Sequence, residues 1–93
     1  CSFLAVQAQG RTVTTIEGVM QGDEMHALQR NLLDAGGVQC GFCTPGMIMS
    51  AHALLDRNAN PTPEDVKIGL SGNLCRCTGY AKILAAVEKT AAE

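Results

Sequence analysis

The sequence predicts a mainly α-helical domain, a two-fold-symmetric four-helix bundle, preceded by a short β segment. Hydrophobic residues make up 46% of the chain and aromatic residues only 3%, so its core must rest on aliphatic side chains, as in packed helices. Apolar residues recur at helical spacing in several segments. Two closely spaced cysteine pairs are each followed by a helix-start signal, which gives the chain a weak internal repeat.

The β segment is predicted near the N-terminus. Residues 2–8 and 12–16 are apolar and β-branched runs, and Gly10 lies at a turn between them. Two strands alone are marginal in water. We therefore expect them to be the last strands of a larger sheet whose other strands lie upstream, with the chain cut at Cys1. The predicted domain boundary follows residue 20.

The first two helices lie in residues 21–93 and flank the first cysteine pair. The spacing of apolar residues predicts a helix over residues 23–35, which Gly36 ends. After the cysteines, Thr44 is the predicted N-cap and Pro45 the first residue of a second helix. This helix is apolar on almost every face, and such helices are usually central. We therefore expect it in the middle of the core.

The last two helices flank the second cysteine pair. Thr62 and Pro63 form another cap-and-proline start for a short third helix. The fourth helix is predicted after Gly79, where Tyr80 and Ile83 begin an apolar stripe at i, i+3, i+4 and i+7. Each half of the helical region is thus helix, cysteine pair, helix. An approximate two-fold axis would bring both cysteine loops to one end of the bundle.

Four cysteines are the candidate metal ligands: Cys40, Cys43, Cys75 and Cys77. A C-x-x-C pair with a second pair downstream is a strong metal signal, and the spacing is poor for disulfides. The C-x-C pair reaches awkwardly around one zinc ion, whereas it can supply one iron of a two-iron cluster while the other pair supplies the second. A dithiol redox pair at Cys40 and Cys43 would leave the other thiols unused. The spacing favours [2Fe–2S] and leaves zinc open.

The helix starts beside the cysteines suit negative charge. A [2Fe–2S] centre with four thiolates carries about −2, and about −3 after it takes up one electron. Helix N-termini offer free N–H donors and partial positive charge, so they stabilise this charge. We therefore expect a one-electron carrier, with a zinc-stapled structural module and an iron–sulfur redox sensor as alternatives. No hydrolytic site is expected, because nothing supplies a base beside an open metal position.

Charge and hydropathy exclude two classes of partner. The formal net charge is −2 and there is no run of Lys or Arg, which argues against nucleic acid and anionic membranes. No stretch approaches the ~18 apolar residues of a membrane span. We expect a soluble protein in the cytoplasm, with the periplasm still open because the N-terminus looks cut.

Residues 39–88 resemble the C-terminal [2Fe–2S] domain of the small iron–sulfur subunit of molybdenum hydroxylases, the family of xanthine dehydrogenase, aldehyde oxidoreductase and carbon monoxide dehydrogenase. The stretches "QCGFCTPG" and "GNLCRCTGY" carry this resemblance. Upstream, "CSFLAVQAQGRTVTTIEGV" is similar to the last strands of the plant-ferredoxin-like domain of that family. The β segment would then be the remnant of such a domain.

The resemblance implies roles for the individual site residues. The four paired cysteines would ligate the cluster nearer the molybdenum. Gln39 and Cys77 would lie against the pterin of a molybdopterin-type molybdenum cofactor that a large partner subunit holds. Cys1 matches the fourth ligand of a second cluster, whose three other ligands are absent from this sequence.

The resemblance also implies an electron path through a hetero-oligomer. Single electrons would pass from the molybdenum centre through this cluster, then through the second cluster to FAD on another subunit. The chain would be the electron-transfer subunit of an oxidoreductase complex and would carry no substrate site. Because the family acts on substrates from purines to aldehydes, the resemblance names no substrate.

Overall fold

The structure, a computed structural model, describes residues 2–93 and contains four α-helices after an irregular N-terminal segment. The helices are α1 (Ala27–Asp34), α2 (Thr44–Arg57), α3 (Pro63–Gly69) and α4 (Ala81–Ala92). Two short 3₁₀ turns precede them, at Ala5–Ala8 and Ile16–Gly18. The prediction of a mainly helical fold with four helices is confirmed.

The predicted strands at residues 2–8 and 12–16 are wrong, since the described part of the chain contains no strand. Ala5–Ala8 form a 3₁₀ turn instead, and the apolar side chains of Phe3 and Val13 are exposed. A β-branched run forms a strand only where a neighbouring strand takes up its N–H and C=O groups, and residues 2–93 provide no such neighbour. The origin of these runs in a ferredoxin-like domain and the boundary after residue 20 stay predictions.

Helix α1 begins at Ala27 rather than near Asp23, because its cap is a histidine. The Nδ1 atom of His26 accepts a hydrogen bond from the Leu28 N–H at 3.1 Å, and the Gln29 side chain accepts one from the His26 N–H at 2.9 Å. These two bonds satisfy backbone donors that the start of a helix leaves free. The sequence rules for N-caps favour Asp, as at Asp23, whereas the observed N-cap is His26, which makes these two contacts.

Helix α2 is the central helix, as predicted. Its buried side chains are Met47, Ile48, Ala51 and Leu54. It packs against the other three helices and against the second 3₁₀ turn. Thr44 is its first residue and Cys43 its N-cap, so the helix begins one position earlier than predicted.

Helix α3 has the start that the sequence predicts. The Thr62 hydroxyl accepts a hydrogen bond from the Asp65 N–H at 3.1 Å, and the Asp65 carboxylate accepts one from the Thr62 N–H at 3.0 Å. Pro63 occupies the first turn, where a missing N–H costs nothing. Val66 fixes this short helix to the core, since its side chain is completely buried.

Polar contacts join the middle of α1 to the C-terminal end of α4. Asn31 is buried, and its amide donates hydrogen bonds to the Thr90 hydroxyl at 2.9 Å and to the Glu93 carboxylate. Arg30 forms an ion pair with the same carboxylate at 3.1 Å. These contacts fix the last turn of α4, whose first turn follows the second cysteine loop. Among residues 2–93, no helix has the length and apolar character needed to span a bilayer.

Candidate metal centre

The loops that carry the two cysteine pairs, between α1 and α2 and between α3 and α4, meet at one end of the bundle. The sulfur atoms of Cys77 and Cys40 lie 3.6 Å apart, with the Cys77 thiol donating. Cys43 and Cys75 are neighbours as well, and each shifts the pKa of the other thiol. The close contacts therefore join a cysteine of one loop to a cysteine of the other loop. The expectation that each pair supplies one iron stays a prediction.

The four thiols differ in exposure. Cys40 and Cys77 are exposed, whereas Cys43 and Cys75 are half-buried and pack against the hydrophobic core. A cavity of about 230 Å³ lies between the loops, and its walls are the four cysteines together with Phe42, Leu74 and Arg76. One side of this cavity is thus exposed, and the other is anchored in the bundle.

Hydrogen bonds stabilise negative charge on Cys75. The Thr78 hydroxyl donates to its sulfur at 3.2 Å and the Thr78 N–H donates at 3.5 Å. These bonds, with one from the Cys77 N–H, lower the pKa of Cys75 to about 7. The other half-buried thiol behaves in the opposite way, since burial and its bond to Cys75 raise the pKa of Cys43. The pKa of Cys77 is raised because its thiol donates to Cys40.

A second hydroxyl beside the thiols lacks a partner. The Oγ1 atom of Thr44 is buried and makes no hydrogen bond within residues 2–93. It lies near enough to Cys43 to offset part of the rise in the pKa of that thiol, yet the contact lacks hydrogen-bond geometry. A buried hydroxyl without a partner is costly, so this atom is suited to a group that binds between the loops.

The donor set fits a [2Fe–2S] cluster. Four thiols from the two loops line one cavity, and such a cluster takes four thiolates, two on each iron. The Phe42 N–H also donates to the Cys40 sulfur at 3.5 Å, so donors reach sulfurs on both loops.

The other two predicted site residues are Gln39 and Cys1. Gln39 is exposed and is the chain neighbour of Cys40. Cys1 lies outside the described residues. Sequence reasoning did not assign Thr78 and Tyr80 to the site, although Thr directly follows the second cysteine of both pairs. The Tyr80 hydroxyl accepts a hydrogen bond from the Cys75 N–H at 3.0 Å.

Comparison with known proteins gives one family for most of the chain. The family described as "[2Fe-2S] binding domain" matches residues 15–88. The nicotinate dehydrogenase small FeS subunit of Eubacterium barkeri is 56% identical to this chain, over 94% of the chain and 55% of that subunit. The chain spans about half the length of the first curated relatives that it matches.

Solved structures of similar proteins have the same fold. Quinoline 2-oxidoreductase from Pseudomonas putida 86 superposes with a TM-score of 0.90 at 45% identity, over 98% of this chain and 56% of that chain. The aldehyde oxidoreductase from Desulfovibrio gigas superposes with a TM-score of 0.81 at 52% identity, over 85% of this chain and 9% of that one. The matched domain therefore occurs both as about half of a small chain and as a small part of a long one.

Proposed function

This chain belongs to the [2Fe-2S] binding domain family, and from that premise we propose that it is the electron-transfer part of a molybdenum hydroxylase. The observation that carries the proposal is the meeting of four thiols from two loops at one end of the bundle, with two of them exposed. The relatives and structural neighbours, which include nicotinate dehydrogenase and aldehyde oxidoreductase, support the same oxidoreductase class.

Cys40, Cys43, Cys75 and Cys77 would hold the cluster. The two loops face each other with Cys40 and Cys77 in contact, which supports ligands from both loops on one cluster. When bound, a [2Fe–2S] cluster supplies one-electron chemistry. The protein's part is to stabilise the added negative charge, and Thr78 and the start of α2 provide donors for this purpose.

The open side of the cavity is the proposed docking face for a large molybdenum subunit. Phe42 is 95% exposed and Leu74 is 82% exposed, and both line the cavity that holds the thiols. Exposed apolar side chains around a site are typical of protein contacts. Gln39 and Cys77 are both exposed, and Gln39 is the chain neighbour of Cys40, which supports their proposed contact with the pterin of the molybdenum cofactor.

The rest of the path is part of the same proposal. Electrons would continue to a second cluster, for which Cys1 would supply one ligand, and then to FAD on another subunit of a hetero-oligomer. A cytoplasmic location suits the proposal because thiols stay reduced there.

The proposal is tested on the full-length protein, purified without oxygen. We expect about two irons and two acid-labile sulfides for this site, a visible absorption of iron–sulfur type and an electron paramagnetic resonance signal after reduction with dithionite. A colourless protein with one zinc ion and no labile sulfide would identify a structural module instead. A cluster protein that binds an operator and never co-purifies with molybdenum would be a sensor.

A further inference from the structure

A ring of three hydrogen bonds includes both the backbone N–H and the sulfur of Cys75. Its N–H donates to the Tyr80 hydroxyl at 3.0 Å. The Tyr80 N–H donates to the Thr78 hydroxyl at 3.1 Å, and that hydroxyl donates to the Cys75 sulfur at 3.2 Å. The ring closes on the residue where it begins, so the position of Cys75 and the environment of its sulfur are fixed together.

The backbone of Tyr80 is unusual. Its φ angle is +74°, and within residues 2–93 it is the only residue other than glycine with a positive φ. A side chain with a Cβ atom disfavours this left-handed conformation, which glycine adopts freely. Such strain persists where the surroundings hold the residue, and it is concentrated at functional sites.

The contacts of the Tyr80 side chain explain why a tyrosine, and not a glycine, occupies this position. It is half-buried, packs against the core and precedes the first residue of α4. From there its hydroxyl reaches the backbone of the C-x-C loop. A glycine would relieve the strain but would leave the Cys75 N–H without this acceptor.

We propose that Tyr80 is a positioning residue for the metal centre: its hydroxyl takes up the Cys75 N–H and keeps this donor away from the sulfur atoms. Thr78 is then the main side-chain donor to the Cys75 sulfur. The inference rests on the proposed function, because it needs Cys75 to be a cluster ligand. It adds to that function a residue that tunes the reduction potential through Cys75.

The direction of the tuning follows from charge. Reduction adds negative charge to the cluster and its thiolates, and donors to the sulfurs favour the more negative form. Loss of the Tyr80 hydroxyl frees the Cys75 N–H to turn toward the sulfurs, which raises the reduction potential. Loss of the Thr78 hydroxyl removes a donor, which lowers the potential.

The test is a redox titration of the full-length protein loaded with its cluster, followed by electron paramagnetic resonance. Tyr80→Phe removes only the hydroxyl and should shift the midpoint potential to a more positive value. Thr78→Val should shift it to a more negative value, and Thr78→Ser should restore it. Ser71→Ala is the matched control, because its hydroxyl bonds to the Ile68 carbonyl at 2.7 Å, and the potential should not change.

Each outcome decides the inference. A wild-type protein without a cluster refutes the proposed function, whereas an intact cluster whose potential is unchanged or more negative in Tyr80→Phe refutes only the role of Tyr80. If Tyr80→Phe loses the cluster but keeps its helices by circular dichroism, the positioning role is supported, because one hydroxyl alone was removed. If the helices are lost as well, the tyrosine is purely structural and the inference is overturned.

Discussion

The sulfur atoms of Cys40 and Cys77 lie 3.6 Å apart although 37 positions separate the two residues in the chain. Only the packing of the bundle brings the two loops together, so a ligand on one loop depends on the other. Cys43 and Cys75 come from the same two loops and line the same cavity. The site is therefore a property of the whole helical domain.

Replacing any one of the four paired cysteines should abolish the cluster. For Cys75→Ser we expect loss of the electron paramagnetic resonance signal that dithionite produces in the wild type, because one iron then lacks a thiolate. Cys1→Ser is the control, and the signal of this cluster should remain, since Cys1 is outside the two pairs. A full signal in Cys75→Ser would contradict the ligand assignment.

Gln39→Ala should leave the cluster intact but slow its reduction by the molybdenum centre. Gln39 is exposed next to Cys40, so its loss removes a surface contact and no core packing. The measurement is pre-steady-state reduction of the cluster by substrate in the assembled complex. In Gln9→Ala, a change at another exposed glutamine, the cluster should be reduced at the wild-type rate. Equal rates for all three proteins would refute the role of Gln39.

Thr44→Val should weaken retention of the cluster without weakening the fold. The Thr44 hydroxyl is buried without a hydrogen-bond partner among residues 2–93, so valine removes an unfavourable polar group from the metal-free chain. If the hydroxyl serves the cluster, iron should pass to a chelator several-fold faster in the variant. Thr12→Val, at an exposed threonine, provides the comparison. Identical rates of iron loss would remove Thr44 from the site.

Asn31→Ala should destabilise the helical domain by about 1–3 kcal/mol, because it removes a buried amide together with its hydrogen bonds to Thr90 and Glu93. Denaturant unfolding followed by circular dichroism measures this change. The spectrum of the loaded cluster should be unaltered, since Thr90 lies in the last turn of α4 and the cysteine loop precedes its first turn. Asn60→Ala, at an exposed position, should have little effect, and equal stability of both variants would show that the buried contacts are unimportant.

Stability should fall as the pH drops below 6.5, and His26 should contribute to the fall. Burial, then the nearby His52, lowers the pKa of His26 below 6.5. Because its folded pKa lies below the unfolded one, the unfolded chain binds more protons in this range. The contribution of His26 to the stability of the folded state is complete above pH 6.5, and it is lost as the pH falls through the pKa of His26 in the folded protein.

The matched variant for this prediction is His26→Asn, which keeps a capping acceptor for the Leu28 N–H but does not titrate. The denaturant midpoints of the two proteins are compared at about pH 7.5 and about pH 5.5, on either side of the ordinary pKa of histidine. We expect a smaller drop between these values in the variant. Equal drops would show that His26 is not the group responsible.

The local features of this fold were predictable from sequence because they depend on neighbours in the chain. Thr62 and Pro63 begin α3 as the capping rule predicts, and the apolar faces of α2 place it at the centre. The prediction failed where a partner was needed. Residues 2–8 have the composition of a strand, but strand formation depends on a neighbouring strand that a local pattern does not supply.

The sequence by itself determined which residues are ligand candidates, since cysteine spacing and the helix starts beside it are written in the chain. Tertiary structure decided how the thiols pair, which of them are exposed, and that Tyr80 holds the backbone of Cys75. The physical reason is the distance along the chain over which each interaction acts. Capping and periodicity act over a few residues, whereas these contacts arise from the packing of α1 to α4, which sets two distant loops face to face.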